Sequence, residues 1–442
     1  ITKSANGKVG DAAKRSTVAV LVYNSLEVRI LDQNTWTTDG SDEYKKSDDT
    51  ILSKYLEVNK WEGIVSNVPY VDYQKSYKKG DTPYITIDGF YKFYSNGTQI
   101  KSDDSKSGKG EDQIKADCSL VDVEGYFGKK VIAYVGDSED DETGNKMVYA
   151  IAEKSSGNTV TKISKTQLVD SGDNEYKTKG QISYRKTGST KVYDLDLKKD
   201  VKVYTNYAEH KFGTTKDANG NTVANISTED LVTDKDLLDN RGGSIELISN
   251  DNDDDIEYIV INSYNAEGTI KSVDEADGNY SFTLYNTTNG TLEDIDTEDE
   301  DSLVKVYVDG ELSDVKALVE GVTASTVEIG NDVRVIYAST KTVTGSVDSY
   351  DKEENTVTIA GNDYDISPFN PNKADKFKDE EGTFYLNVDG EIAHSEADAV
   401  SSGNYGLVLA VDKEEGINDG YVMQVALADG TIAEYDLASK AK

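Results

Sequence analysis

From Trp61 to the end of the chain, apolar residues recur at alternate positions in short runs, separated by turns rich in glycine, aspartate and asparagine. A period of two places successive side chains on opposite faces of an extended strand, whereas a helix needs a period near 3.6. Val131-Ile132-Ala133-Tyr134-Val135 and Met147-Val148-Tyr149-Ala150-Ile151 flank a loop as the arms of a hairpin do. The segments 245–248 with 258–261, 333–337 with 343–347, and 407–411 with 422–427 have the same form. Each first arm follows a glycine, at Gly128, Gly243, Gly330 and Gly406. The chain has 29 tyrosines and only four prolines, a balance that favours strands further.

Two other elements recur. Glu62-Gly63-Ile64-Val65-Ser66, Glu267-Gly268-Thr269-Ile270-Lys271-Ser272 and Thr344-Gly345-Ser346-Val347-Asp348-Ser349 are alike. Tyr307-Val308-Asp309-Gly310-Glu311-Leu312 is echoed by Asn387-Val388-Asp389-Gly390-Glu391-Ile392, where Asp-Gly between apolar residues signals a tight hairpin turn. Uneven spacing between copies indicates tandem duplication with drift rather than a solenoid of fixed period. The expected fold is mainly β, built from tandem small sandwich-like or barrel-like domains after a short N-terminal helical segment. The expected divisions are 1–60, 61–176, 177–266, 267–344 and 345–442.

The N-terminal piece differs. Between residues 12 and 31, Val18, Leu21, Val22, Leu26 and Ile30 fall at helical spacing. A second helical stretch is expected over 50–58, after a polar loop at 37–49.

Charge excludes several function classes. With 83 acidic and 47 basic side chains, the net charge is -36. Such a surface repels phosphate backbones and anionic headgroups, so neither nucleic acid nor a lipid surface is an expected partner. No apolar run reaches the ~18 residues of a membrane span. A single cysteine, Cys118, rules out an intramolecular disulfide and a Cys-based zinc site. The two histidines, His210 and His394, stand in contexts unlike a nucleophile elbow, and neither HExxH nor a phosphate-binding loop occurs. No catalytic residue is assigned, and a non-enzymatic protein is expected.

One segment has ligand-like spacing. In Asn250-Asp251-Asn252-Asp253-Asp254-Asp255-Ile256-Glu257, the acids Asp251, Asp253, Asp255 and Glu257 occupy alternate positions, and their oxygens converge on a hard cation if the loop curves. Calcium is the expected ion. The segment is not an EF-hand, since Ile256 stands where that loop needs glycine and Asn262 where it needs its bidentate glutamate. The run 293–301 holds seven carboxylates and no basic residue, and is read as a solvated loop.

Arg15-Ser16-Thr17-Val18-Ala19-Val20-Leu21-Val22-Tyr23-Asn24-Ser25-Leu26 resembles the closing helix of a surface-layer homology motif. Leu52-Ser53-Lys54-Tyr55-Leu56-Glu57-Val58 leading into Glu62-Gly63-Ile64-Val65 is similar to the linker of clostridial surface-layer proteins that carry such motifs. Asn252 to Val260 and Gly382 to Ala393 resemble hairpins of the same proteins. The resemblance implies an extracellular protein of the cell wall or surface layer of a Gram-positive-type bacterium. It also implies anchoring to secondary cell-wall polysaccharide through complete motifs in the precursor, with Arg15 as the contact residue here.

The expected function is therefore a structural surface protein whose copies assemble into a layer, array or filament, with cations bridging carboxylates. The β domains are expected to form rigid, extended blocks. An adhesin or carbohydrate-binding protein is the alternative, and a cell-wall glycoside hydrolase a third reading.

Overall fold

The computed structural model describes residues 15–33, 43–95, 98–101, 113–137, 146–169, 175–238, 242–250, 254–285, 287, 291–397, 406–414, 420–427 and 432–436. The protein is mainly β, with several separate sheets in succession.

The N-terminal piece comprises helix α1 (Arg15–Leu26), a hairpin of β1 (Arg29–Gln33) and β2 (Tyr44–Thr50), and the short helix α2 (Ile51–Tyr55). Helical spacing through residue 31 and a loop at 37–49 were the expectations; among the described residues, 29–33 and 44–50 instead pair as strands. Arg29 accounts for the difference. Its guanidinium donates to the carbonyls of Ser47 (2.6 Å) and Lys46 (2.9 Å) and pairs with Asp48 (3.3 Å), drawing the acidic strand alongside. Thr50 opens α2 with a capping box, its hydroxyl accepting from Ser53 N–H while Ser53 Oγ accepts from Thr50 N–H.

The first barrel follows. Its elements are β3 (Val58–Asn67), α3 (Pro69–Tyr73), β4 (Tyr84–Ser95), β5 (Thr98–Lys101), β6 (Gln113–Asp117), β7 (Lys130–Asp137) and β8 (Lys146–Glu153). Five strands close into a ring in the order β3-β4-β6-β8-β7 and back to β3, all antiparallel except β6 with β8. Numbering its strands 1 to 5 along the chain, the ring reads 1-2-3-5-4.

The second barrel contains β9 (Thr159–Ser164), β10 (Gln181–Arg185), β11 (Val192–Thr205), β12 (Ala208–His210), the hairpin β13 (Thr214–Lys216) and β14 (Thr222–Ala224), α4 (Thr228–Thr233), α5 (Lys235–Leu238), β15 (Gly243–Ser249) and β16 (Ile256–Ser263). Its ring is β9, β10, β11, β16, β15, again 1-2-3-5-4 with strands 3 and 5 parallel. The seam between strands 1 and 2 is closed by one bridge, Leu168 to Tyr184.

The third barrel has β17 (Ala266–Ala276), β18 (Asn279–Leu284), β19 (Ile295–Asp296), β20 (Leu303–Val308), β21 (Glu311–Ser313), β22 (Thr323–Ile329) and β23 (Val333–Ser339). With β17, β18, β20, β22 and β23 as strands 1 to 5, the order repeats, β20 runs parallel to β23, and the seam between strands 2 and 3 stays unpaired. The fourth barrel, β24 (Thr342–Asp351), β25 (Thr356–Ile359), β26 (Asn362–Asp365), β27 (Glu381–Leu386) and β28 (Ile392–Ala397), repeats it once more. Its strands 3 and 5 meet through the single parallel bridge Ile366 to Ile392. A three-stranded antiparallel meander, β29 (Gly406–Glu414), β30 (Gly420–Leu427) and β31 (Ile432–Asp436), ends the described chain.

Four successive units thus share one Greek-key order, that of the partly open five-stranded barrel of OB type. Fold of this kind does not specify function. The recurrent Gly-containing element of the sequence is strand 1 of barrels one, three and four, since Gly63, Gly268 and Gly345 lie in β3, β17 and β24. Strand 1 must pair with strand 4 on one side and strand 2 on the other, so it bends. At Gly63, opposite Gly89 on β4, an added Cβ would stand 2.3 Å from the Asp88 carbonyl oxygen; the bend demands glycine there.

The expected pairing of 333–337 with 343–347 does not occur. β23 and β24 belong to different sheets, and the partner of β23 is β22. β22 was hidden because Thr323, Ser325 and Thr326 are buried polar residues that break the visible alternation. Two of these hydroxyls find partners inside, Thr323 with Thr269 Oγ1 at 2.8 Å and Ser325 with Glu267 Oε2 at 2.8 Å.

Each barrel has its own core: Ile182, Leu231 and Leu247 in the second, Ile270 and Ile336 in the third, Phe377 and Phe384 in the fourth. The first core continues outward through Tyr204 and Tyr258 of barrel two and Val327 and Val335 of barrel three. Barrel four also touches barrel two, so the barrels pack on one another rather than standing as a simple extended string.

Candidate functional site

The described part of the acidic segment, Asn250 and residues 254–257, flanks the connection between the paired strands β15 and β16. Asp251 and Asp253 lie outside the described residues. Asp255 stands 3.7 Å from Lys198 Nζ, and Glu257 Oε2 accepts the Asn250 N–H at 2.8 Å, across the neck of the hairpin. That neck is anchored to barrel one: Asn250 Nδ2 donates to the Gly128 carbonyl (2.7 Å), and Lys130 Nζ to the Asn250 carbonyl (2.6 Å). Among the described residues, no group of three or more His, Cys, Asp or Glu side chains is arranged to hold a metal ion.

Arg15 is the first residue of α1. The same helix exposes Val18, Val22 and Tyr23 to solvent. No helix among the described residues is long and apolar enough to cross a membrane.

His394 and the cysteine occupy packing positions. His394 stacks between Tyr285 and Tyr385, with ring centroids 4.1 and 5.7 Å away, and its burial lowers its pKa. Cys118 is buried, its thiol 3.3 Å from the Pro83 carbonyl, and desolvation pushes it up to about 12. A thiol in that state is a small hydrophobe rather than a nucleophile.

The chemically unusual groups sit between barrels, at positions sequence reasoning read only as strand and turn. Where barrels one and three meet, Tyr337 OH donates to Glu124 Oε1 (2.8 Å), and Tyr307 OH to Asp122 Oδ1 (2.9 Å). Desolvation raises Glu124 to about 7, against the opposing pull of the Tyr337 hydroxyl.

A second junction joins barrels two, three and four. Glu267 of β17 is fully buried. It accepts from Ser325 Oγ of its own barrel (2.8 Å) and from two groups of barrel four, Ser367 Oγ (2.5 Å) and Asn387 Nδ2 (3.1 Å). Glu391, 5% exposed, accepts from Asn387 Nδ2 (3.0 Å) and from Thr166 Oγ1 of barrel two (2.6 Å). Asp389, its side chain 3% exposed, accepts from Tyr264 OH (2.6 Å) and stands 3.5 Å from Lys162 Nζ. Burial raises all three carboxyls, Glu267 to about 7 and Glu391 to about 8.

Beside this junction, barrels two and four enclose a polar cleft of about 280 Å³. Hydroxyls of Ser189, Thr190 and Thr356, the carboxylates of Asp351 and Asp363, and Tyr350 line it.

No protein-family model matches this chain, and comparison with curated proteins finds no match.

Proposed function

We propose that this chain is a non-enzymatic structural protein of a bacterial cell surface, whose copies assemble into a surface layer or a related array or filament. The observation that carries this reading is the combination of four barrels of one strand order, interlocked by buried polar contacts, with an uncovered apolar sheet at the end of the described chain. In that sheet Leu407 is 71% exposed, and Val408, Leu409, Val411, Tyr421 and Ile432 are exposed with it. Large apolar side chains exposed together on one small sheet mark association. At a net charge of -36, copies repel one another, so divalent cations bridging carboxylates are part of the reading, with calcium first among them and the 251–257 hairpin tip as a place for it. Anchoring would come from surface-layer homology motifs on secondary cell-wall polysaccharide, with Arg15 of α1 as a contact residue. Electron microscopy of the purified chain with and without Ca²⁺ tests the proposal: ordered sheets or filaments support it, and dispersed single particles under both conditions refute it.

The hydroxyl-lined cleft between barrels two and four favours a second reading, a carbohydrate-binding or adhesive protein. Hydroxyls, carboxylates and one aromatic ring in a polar cleft are the groups that engage a sugar. Binding to a glycan array, lost on Asp351→Ala, separates this reading from the first.

A further inference from the structure

Glu267 and Glu391 come from different barrels, yet both accept a hydrogen bond from the same atom, Asn387 Nδ2. The orientation of that amide is fixed. Asn387 Oδ1 accepts the backbone N–H groups of Asp389 (3.0 Å) and Glu391 (2.9 Å), so both amide protons point at the carboxyls. Those donors occupy the space between the two acids, and the amide rather than a cation bridges them.

The charge balance of the junction is poor. Facing it are Asp389 on the β27–β28 turn, Tyr264 between β16 and β17, Lys162 on β9, and Glu246 on β15, which pairs with Lys129 of barrel one at 2.9 Å. Lys162 is the near cation, and its side chain is 49% exposed. Ser325, Ser367 and Thr166 supply neutral hydroxyls that donate or accept equally well. Three buried acids beside one half-exposed ammonium cannot all ionise without leaving buried, uncompensated negative charge.

We propose that the meeting point of barrels two, three and four is a proton-dependent latch: with Glu267 and Glu391 protonated, Asn387 and Thr166 tie barrel four to its neighbours, and with both ionised barrel four is released. The direction follows from linkage. The closed junction keeps protons that an open one gives up near the ordinary carboxyl value of 4.5. Closure is therefore strongest in acid, weakens as pH rises from that value, and is weakest above the range in which the two buried acids titrate. Released, barrel four stays joined to barrel three through Thr340 and Lys341, between β23 and β24. The latch concerns a single chain and stands apart from the assembly reading.

The test compares the full chain with E267Q/E391Q between pH 5 and pH 9. A glutamine matches a protonated glutamate here, its oxygen accepting from Asn387 and its amide donating to Ser367 or Thr166. Small-angle X-ray scattering should show the wild type expanding toward pH 9 while the variant keeps its dimensions. Cross-linking yield between barrels two and four should fall about tenfold or more in the wild type, since each unit of pKa displacement is a factor of ten in the coupled equilibrium. Equal expansion of both proteins, or none in the wild type, overturns the proposal. If the variant fails to fold, infrared spectra of the wild type decide. A protonated-carboxyl carbonyl band present at pH 6 and lost by pH 9 supports the latch, and its absence at pH 6 overturns it.

Discussion

Tyr337 of the third barrel places its hydroxyl 2.8 Å from Glu124 Oε1 of the first, across a boundary that more than two hundred residues of chain separate. The contact positions two barrels and gives one carboxyl an abnormal affinity for protons. With its pKa raised from 4.5 to about 7, Glu124 holds a proton in the docked form that the undocked form releases earlier. Stability is therefore highest in acid and falls as pH rises through 7. We expect E124Q to reduce the fall in thermal midpoint measured from pH 5 to pH 8. Tyr337→Phe leaves the carboxyl without its donor, raises Glu124 further, and costs about 1–3 kcal/mol. An unchanged pH profile in both variants would contradict this account.

Gly63→Ala should be markedly worse than Gly80→Ala. At Gly63 the new methyl meets a backbone oxygen at 2.3 Å; at Gly80, whose φ is +92°, it meets nothing within 4 Å. Overpacking against backbone costs about 1–3 kcal/mol or more. An unfavourable φ alone costs roughly 1–2 kcal/mol. Urea denaturation of the two variants measures the difference, and the β3–β4 contact is the region that opens first in Gly63→Ala.

Phe384, fully buried in the core of barrel four with Phe377 as its neighbour, anchors the smallest of the four barrel cores. Phe384→Ala should cost about 3–5 kcal/mol. Hydrogen exchange should then show loss of protection in 342–397 before the other barrels are affected. Uniform loss along the chain would mean that the barrels unfold as one unit.

Leu407→Lys with Val411→Lys should lower self-association in sedimentation without altering the far-ultraviolet spectrum, because both side chains are already in water. Association unaffected by the pair would remove the β29–β31 sheet from the contact surface.

Any assembly formed with divalent ions should dissociate in chelator at low ionic strength, where charge repulsion is least screened. Light scattering follows the loss. Persistence under those conditions would dismiss cation bridging while leaving apolar association in place.

Strand character was legible in the sequence because period-two alternation is local, and three of the four expected hairpins pair as read. Which strand joins which barrel was not, since that depends on contacts between distant segments. β22 escaped notice because its Thr and Ser residues are buried, with the Thr323 and Ser325 hydroxyls satisfied by neighbours from another strand. The junction acids show the limit most clearly. Asp309-Gly310-Glu311 and Asp389-Gly390-Glu391 are the same turn in sequence, yet the first faces water and Glu391 is buried against barrel two. Nothing within the turn decides between those fates. The one local signal was Asn387, which replaces Tyr307 of the other copy and supplies the amide that holds the junction.

Two residues separate β16 from β17, and two separate β23 from β24. A connection that short spans about 7 Å at full stretch and holds no slack. While the barrel junctions are closed, torque applied to one barrel is therefore handed to the next through the backbone as well as through the buried contacts. Lengthening either connection by a few residues would leave every barrel folded and the buried contacts in place, and would remove only the backbone's share of that coupling.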